Sequence, residues 1–347
     1  MKKIKLTQFS GGGGWASKLS AKQLAQVLSN LKTDYVKNNH IGFEASEDCS
    51  FFSFNDNQMI LQSVDFFTPI VDDPFIFGQI AAANSLSDVY AKGGKPLFAL
   101  NIVEFPIDHL PTSILSTIIN GGYDIAKKAS IPILGGHSIK DNIPKYGLVV
   151  TGIIDKNSII KNNTIKEGDD LILTKPIGTG IVASAIKKSI CSLKTEKQAI
   201  AQMIELNKIA SEIMVEIGVN ACTDITGYGL IGHLFEMAKN SNLTIEIKFN
   251  QIPLIENLIE LIDQGCVPGG SKKNLNYYKE HVIFNKNLNK NQKIIFSDAQ
   301  TSGGLLISCP KNQSTQLIKK LNDERVIQSS IIGEVIPKKN TMINIIE

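Results

Sequence analysis

Between Asp155 and Asp169 the apolar patterning of the chain breaks off. Lys156-Asn157-Ser158 and Lys161-Asn162-Asn163 are too polar to bury, while apolar runs resume on both sides. A break of this kind marks a boundary between two folding units. At roughly 150 residues per domain, 347 residues also fit two. The expected division is a segment 1–18, an N-terminal domain 19–156 and a C-terminal domain 168–347.

Each half mixes strands and helices without a strict βαβ rhythm, which argues α+β. In the first, Ile4 to Phe9 reads as a strand and Ser20 to Leu31 as an amphipathic helix, with Leu24, Val27 and Leu31 on one stripe. Strands are expected at Phe51 to Phe54 and Met59 to Val64, around Asn55-Asp56-Asn57. Asp73-Pro74 opens a helix with an N-cap and a first-turn Pro, and Gly93-Gly94 stop it. Leu97 to Val103, Ile131 to Leu134 and Tyr146 to Ile154 read as strands, and Leu110 to Ala129 as a helix. In the second half, strands are expected at Asp170 to Thr174, Leu243 to Phe249, Gly304 to Cys309 and Ile331 to Val335. Helices are expected at 180–190, 195–217, 228–240, 253–264 and 311–322.

Composition narrows the function classes. Lys+Arg number 36 against 33 Asp+Glu, which gives no electrostatic case for nucleic acid. No apolar run reaches the ~18 residues of a membrane span, and no signal-peptide core follows the basic start. The five cysteines are scattered and never form C-x-x-C, against a disulfide framework or a zinc site. A reducing cytoplasm is expected.

Four stretches carry chemistry. In Gly11-Gly12-Gly13-Gly14-Trp15-Ala16-Ser17-Lys18, glycines free backbone amides to approach a phosphate and Lys18 supplies charge. It is not a Walker A loop, and four glycines also suit a mobile loop. Asp48, Asp65, Asp88 and Asp224 sit at expected strand ends or, for Asp88, on the helix after Pro74, with Asn84 one turn earlier. Separated carboxylates suit magnesium shared with nucleotide phosphates; taken singly, each also suits a turn or helix cap. Leu134-Gly135-Gly136-His137-Ser138 reads as a strand end offering donors to an anion. Gln300-Thr301-Ser302-Gly303-Gly304 is a polar turn feeding a strand. His233 is expected in the core of a helix.

Taken together, in this order, these stretches are far more specific. Gln8-Phe9-Ser10, Asp65-Phe66-Phe67 with Pro69-Ile70-Val71-Asp72, Asn84-Ser85-Leu86-Ser87-Asp88, Gly93-Gly94-Lys95-Pro96, Gly135-Gly136-His137-Ser138, Thr223-Asp224-Ile225-Thr226-Gly227-Tyr228-Gly229, Val267-Pro268-Gly269-Gly270 and Gln300-Thr301-Ser302-Gly303-Gly304 follow one another. The chain closely resembles the selenophosphate synthetases (selenide, water dikinases) over nearly its full length.

The resemblance implies an α+β fold of the aminoimidazole-ribonucleotide-synthetase superfamily, with two domains per chain. It implies N-terminal domains paired as a homodimer barrel with a shared ATP site, and conversion of ATP, selenide and water to selenophosphate, AMP and phosphate. It implies that Asp48, Asp88 and Asp224 bind Mg²⁺, and that Asp65 and Asp88 face the ATP–metal cluster. Ser46 and Glu47 would touch the nucleotide. Gly136, His137 and Ser138 would contact ATP held mainly by the other subunit, and Lys18 matches the essential lysine. The departure is Trp15, where the family carries Cys or selenocysteine; a second, variable family cysteine falls at Ser17. Two explanations stand for this lone Trp: a selenocysteine whose UGA codon was read as Trp, or a genuine Trp in a non-catalytic ATP-binding paralogue. Other ATP-using members of the superfamily, such as thiamine-monophosphate kinase, lack the Gly-rich loop with Lys18 at this spacing.

Overall fold

The computed structural model describes residues 4–9, 14, 18–19, 21–28, 47–326 and 328–347. The chain opens with a 3-10 helix, Leu6–Phe9, and helix α1 (Ala21–Leu28). There follow β1 (Ser50–Ser53), β2 (Gln58–Phe67), α2 (Pro74–Ala91), β3 (Lys95–Phe105), α3 (Thr112–Ala129), β4 (Ile133–Lys140) and β5 (Lys145–Asp155). These five strands form one sheet, ordered β1-β2-β5-β3-β4, antiparallel except for the β3–β4 pair.

Beyond the polar connection come β6 (Asp169–Leu173), α4 (Thr179–Lys187), α5 (Leu193–Ile204), α6 (Lys208–Ile217), β7 (Ala221–Asp224), α7 (Gly229–Ser241) and β8 (Thr244–Lys248). Then follow α8 (Leu258–Asp263), α9 (Gly269–Tyr278), β9 (Val282–Phe284), α10 (Lys290–Phe296), β10 (Leu305–Pro310), α11 (Lys311–Asp323), β11 (Ser330–Ile336) and β12 (Ile343–Ile346). The seven strands form a second mixed sheet, β7-β10-β6-β11-β8-β12-β9. Two sheets with segregated helices make the chain α+β. Among the described residues no helix is long and apolar enough to cross a membrane.

Helix α2 is the central element. Asp73 caps it, accepting from the Ile76 amide at 2.9 Å, with Pro74 at its first position. It is buried nearly all round, because β2, β5 and α3 pack on it from the first half and α5 and β7 from the second. Its few polar side chains therefore need partners. On β2 the side chains alternate: Met59, Leu61, Ser63 and Phe67 are buried, whereas Gln62, Val64 and Phe66 are exposed.

Four local expectations give way. Leu6–Phe9 is a 3-10 turn and not a strand: Leu6 and Thr7 are buried, and Asp72 clamps Thr7 through its amide at 3.1 Å and its hydroxyl at 2.7 Å. The expected helix 195–217 is two helices, because Asn207 between them donates to Ser87 Oγ and the Gly303 carbonyl. The helix expected from 253 begins at Leu258, after Ile177 donates to the Pro253 carbonyl and accepts from the Ile255 amide. The strand expected to end at Gly135-Gly136 runs on to Lys140, pairing with β3 as far as Phe105. Residue 20 and residues 29–31 of the expected first helix lie outside the described residues.

Candidate active site

One face of α2 lays out the polar site. Asn84, Asp88 and Lys92 are spaced i, i+4 and i+8, on one stripe. Asn84 donates to Asp65 Oδ2 at 2.8 Å and accepts from the Ser302 amide at 2.9 Å. Asp88 accepts from Ser63 Oγ at 2.6 Å. Lys92 Nζ lies 2.9 Å from both Glu47 Oε2 and Asp48 Oδ2 and donates to the Cys222 carbonyl at 2.9 Å. Asp65 lies within β2, not at its end.

Strand β7 brings in the second half. It ends at Asp224, and Thr223 Oγ1 donates to Asp48 Oδ1 at 2.9 Å. Carboxylate oxygens of Asp48, Asp88 and Asp224 consequently lie within 4.8 Å of one another. They and Asp65 line a cleft of about 460 Å³. Asp224 Oδ2 and Glu47 Oε1 are buried with no hydrogen-bond donor among the described residues, and Asp48 Oδ2 faces the Lys92 ammonium. Buried carboxylate oxygens without donors are what a cation would satisfy, and oxygen ligands suit magnesium.

The electrostatics agree. Burial pushes the Asp65 carboxyl up to about 8; Lys18 pulls it down and Asp224 pushes it further up. Burial, then Asp48, raises Asp224 to about 6. Burial, then Asp65 and Asp224, holds Asp88 well above the carboxylate range. Raised in this way, Asp88 and Asp224 hold protons more readily than free carboxyls, and a divalent cation on the same oxygens would displace them. Cys49, beside Asp48, is buried; burial first and then Asp88 push its thiol well above the usual range, so it stays protonated.

The opposite wall comes from the N-terminal segment and α7. Gly14 sits at φ +52°, its amide donating to the Thr68 carbonyl at 3.2 Å. A Cβ there would lie 2.4 Å from Ile70 and 2.7 Å from Thr301 Oγ1, so glycine is required. Four residues on, the Lys18 ammonium lies 4.7 Å from the centre of the Tyr228 ring. The residue as a whole is exposed, but its head group faces the cleft. There burial opposes the charge, and Tyr228, Asp65 and Asp88 outweigh it, raising its pKa. His233 is buried on α7, as expected of a core histidine, but it also lines the cleft; its Nε2 accepts from the Thr226 amide at 3.1 Å and so pins the turn after Asp224. Trp15, Ser17 and Ser46 lie outside the described residues.

Gly136, His137 and Ser138 do not line this cleft. They lie exposed on edge strand β4. The cross-strand row Phe66, Gly147, Ile102, His137 puts His137 on the face turned away from α2, beside the row Val64, Val149, Leu100. Gln300 is a brace: its Oε1 accepts from the Gly178 and Thr179 amides at 2.9 and 3.1 Å. The residues that sequence reasoning passed over are Lys92, Ser63 and Thr223. Only Lys92 carried a signal, its helical spacing from Asn84 and Asp88.

Two sheets joined through one buried helix, with an acidic cleft at the junction, match a known class. The model of the AIR synthase related protein N-terminal domain matches residues 46–154, and that of the C-terminal domain matches 166–345; the chain belongs to this class. Within it the chain is a member of the selenide, water dikinase family. It is 47% identical over 339 residues to the selenide, water dikinase of Caldanaerobacter subterraneus subsp. tengcongensis, covering 98% of each chain. It is 44% identical to that of Clostridioides difficile, covering 99% of this chain and 98% of the relative. Solved structures share the fold at low identity. Thiamine monophosphate kinase from Aquifex aeolicus superposes with a TM-score of 0.63 at 16% identity, covering 94% of this chain and 98% of that one. A chain of the HypE–HypF complex superposes with a TM-score of 0.66 at 18%, covering 93% and 96%.

Proposed function

We propose that this chain makes selenophosphate from ATP, selenide and water, releasing AMP and phosphate, in the cleft between its two sheets. The observation that carries the site assignment is the triangle of Asp48, Asp88 and Asp224, with Asp65 and Lys18 facing the same cleft. Asp48, Asp88 and Asp224 would hold Mg²⁺, which when bound neutralises phosphate charge. Asn84 orients Asp65 and Ser63 orients Asp88. Lys18 supplies a positive charge to the transferred phosphoryl group, and Ser46 and Glu47 contact the nucleotide. The donor-free oxygens support the metal assignment.

The functional unit is a homodimer. The sheet face turned away from α2 exposes Phe52, Val64, Phe66 and Leu100, an apolar surface suited to a second copy. Gly136, His137 and Ser138 border it, which supports their reaching nucleotide bound by the partner. All five cysteines are free, in keeping with a reducing cytoplasm.

Position 15 is selenocysteine in the working protein. The chain's lone Trp stands where the resemblance puts the selenium-handling residue, and indole offers no nucleophile. A UGG codon at position 15 would sink this reading. The activity is tested with purified protein whose residue 15 is verified by mass spectrometry. AMP forms only when both ATP and selenide are present; ADP from another acceptor, with no AMP, overturns the assignment. A confirmed Trp15 with nucleotide binding but no AMP leaves a non-catalytic paralogue.

A further inference from the structure

Behind the wall of the acidic cleft lies a cation of the protein's own. Lys92 follows the last turn of α2, where its side chain is fully buried. Three oxygens lie 2.9 Å from its ammonium: Glu47 Oε2, Asp48 Oδ2 and the Cys222 carbonyl. They match the three donors of an ammonium group. Glu47 Oε2 is also bound by the Asn162 amide at 3.2 Å, so Lys92 and the start of the second half grip one carboxylate together. The same Asp48 is a corner of the carboxylate triangle. Its Oδ1 is taken by Thr223, and its Oδ2 faces Lys92.

We infer that Lys92 is a positioning residue acting as a resident counter-cation: it fixes Glu47 and Asp48 against β7 before any metal arrives, and competes with divalent ions for Asp48. The inference rests on the magnesium reading above. A buried carboxylate pair without a partner is unfavourable, so Lys92 lets the cleft stay assembled when empty. The same charge repels an incoming divalent ion. Lys92 thereby trades metal affinity for a preformed site.

Lys92→Met keeps the length and apolar stem and removes the charge. The test uses the full, nucleotide-free chain and Mn²⁺ as the probe, with bound metal counted by electron paramagnetic resonance. Lys92→Met binds Mn²⁺ about tenfold or more tightly than wild type, as loss of a unit charge a few ångströms away requires. It melts earlier than wild type in EDTA, and saturating Mn²⁺ raises its melting temperature by more than it raises that of wild type. Damage to the scaffold alone would weaken metal binding, so the sign separates the two roles. Equal or weaker Mn²⁺ binding by Lys92→Met overturns the inference. The comparison is repeated in a Glu47→Gln background, which orphans one buried carboxylate fewer should the single variant not fold. There too the variant without the lysine binds Mn²⁺ more tightly, and the reverse order overturns the inference. Asp224→Asn separates this from the underlying reading. If wild type and Asp224→Asn take up Mn²⁺ alike, the metal assignment fails. If Asp224→Asn weakens uptake and Lys92→Met leaves it unchanged, only the role of Lys92 fails.

Discussion

Asp65 and His137 belong to the same sheet, and their surroundings differ in kind. Asp65 is turned toward α2, where Asn84 holds it and the turn at Ser302 holds Asn84. His137 lies on edge strand β4, exposed, in a row that ends on the face away from α2. The acidic groups are placed by this chain alone, through contacts that join its two halves. Within the exposed Gly-His-Ser stretch, His137 points outward and leaves its completion to whatever covers that face. A site assembled from both would be rigid on one side and conditional on association on the other.

The largest expected effect lies on the cleft side. Lys18→Ala removes the phosphate-directed charge and lowers selenide-dependent AMP formation by about 10²–10³-fold, the usual cost of losing one transition-state donor. The melting temperature stays close to wild type, because most of the residue is exposed. Wild-type turnover in this variant would break the cleft assignment. The outer face is probed by Val64→Asp, at an exposed position of β2. If that face pairs two copies as proposed, a charge there separates them while leaving α2 and the acidic cluster intact. Sedimentation should give half the wild-type mass, with AMP formation falling alongside. Unchanged mass with full activity would mean that the face has no partner and that His137 takes no part.

A smaller effect distinguishes two adjacent glycines. Gly136 and Gly135 both have φ +151°, but a Cβ on Gly136 would lie 2.2 Å from the Asn101 carbonyl oxygen, whereas on Gly135 it would meet nothing within 4 Å. Gly136→Ala should lower stability by roughly 2–3 kcal/mol through overpacking and strain, and Gly135→Ala by about 1. Urea unfolding measures both. If Gly136→Ala is as stable as Gly135→Ala yet inactive, Gly136 serves the nucleotide and not β3.

What could be read from the sequence follows the range of the contacts involved. Helix α2 was legible because its signals are local: Asp73 and Pro74 at one end, Gly93-Gly94 at the other. The aspartates stood out as a set, but their convergence depends on partners far along the chain. Lys92 reaches the Cys222 carbonyl across 130 positions, and no periodicity encodes that. The passage of β4 through Gly135-Gly136-His137-Ser138 was hidden because glycines signal a stop locally, while here they permit close pairing with β3. Strands β9 and β12 carry no local signal because each is short and apolar: β12 pairs in parallel with β8 and with β9, and β9 pairs with β12, all far along the chain. The fold by itself would not have selected the reaction, since thiamine monophosphate kinase shares it at 16% identity. The ordered motifs selected it.

The smallest expected effect concerns protons on the cleft side. The folded chain holds Asp65 at about 8 and Asp224 at about 6, both raised above an unfolded value of ~3.9, with burial as the first cause. A carboxyl raised in this way binds more protons folded than unfolded. Its stabilising contribution is complete below the unfolded value and is lost as pH climbs through the folded one. In EDTA the chain should therefore lose ~1–2 kcal/mol between pH 6 and pH 8, discounted for the partial exposure of Asp65. Saturating Mg²⁺ should flatten or invert that slope, because the metal replaces the protons on the same oxygens. Among the described residues the outer face has no comparable cluster of raised carboxyls, so Val64→Asp should leave the Mg²⁺ dependence of the slope in place while Asp224→Asn reduces it. Chemical unfolding at the two pH values, with and without Mg²⁺, gives all four quantities; a slope in EDTA that rises with pH would place the titrating groups elsewhere in the molecule.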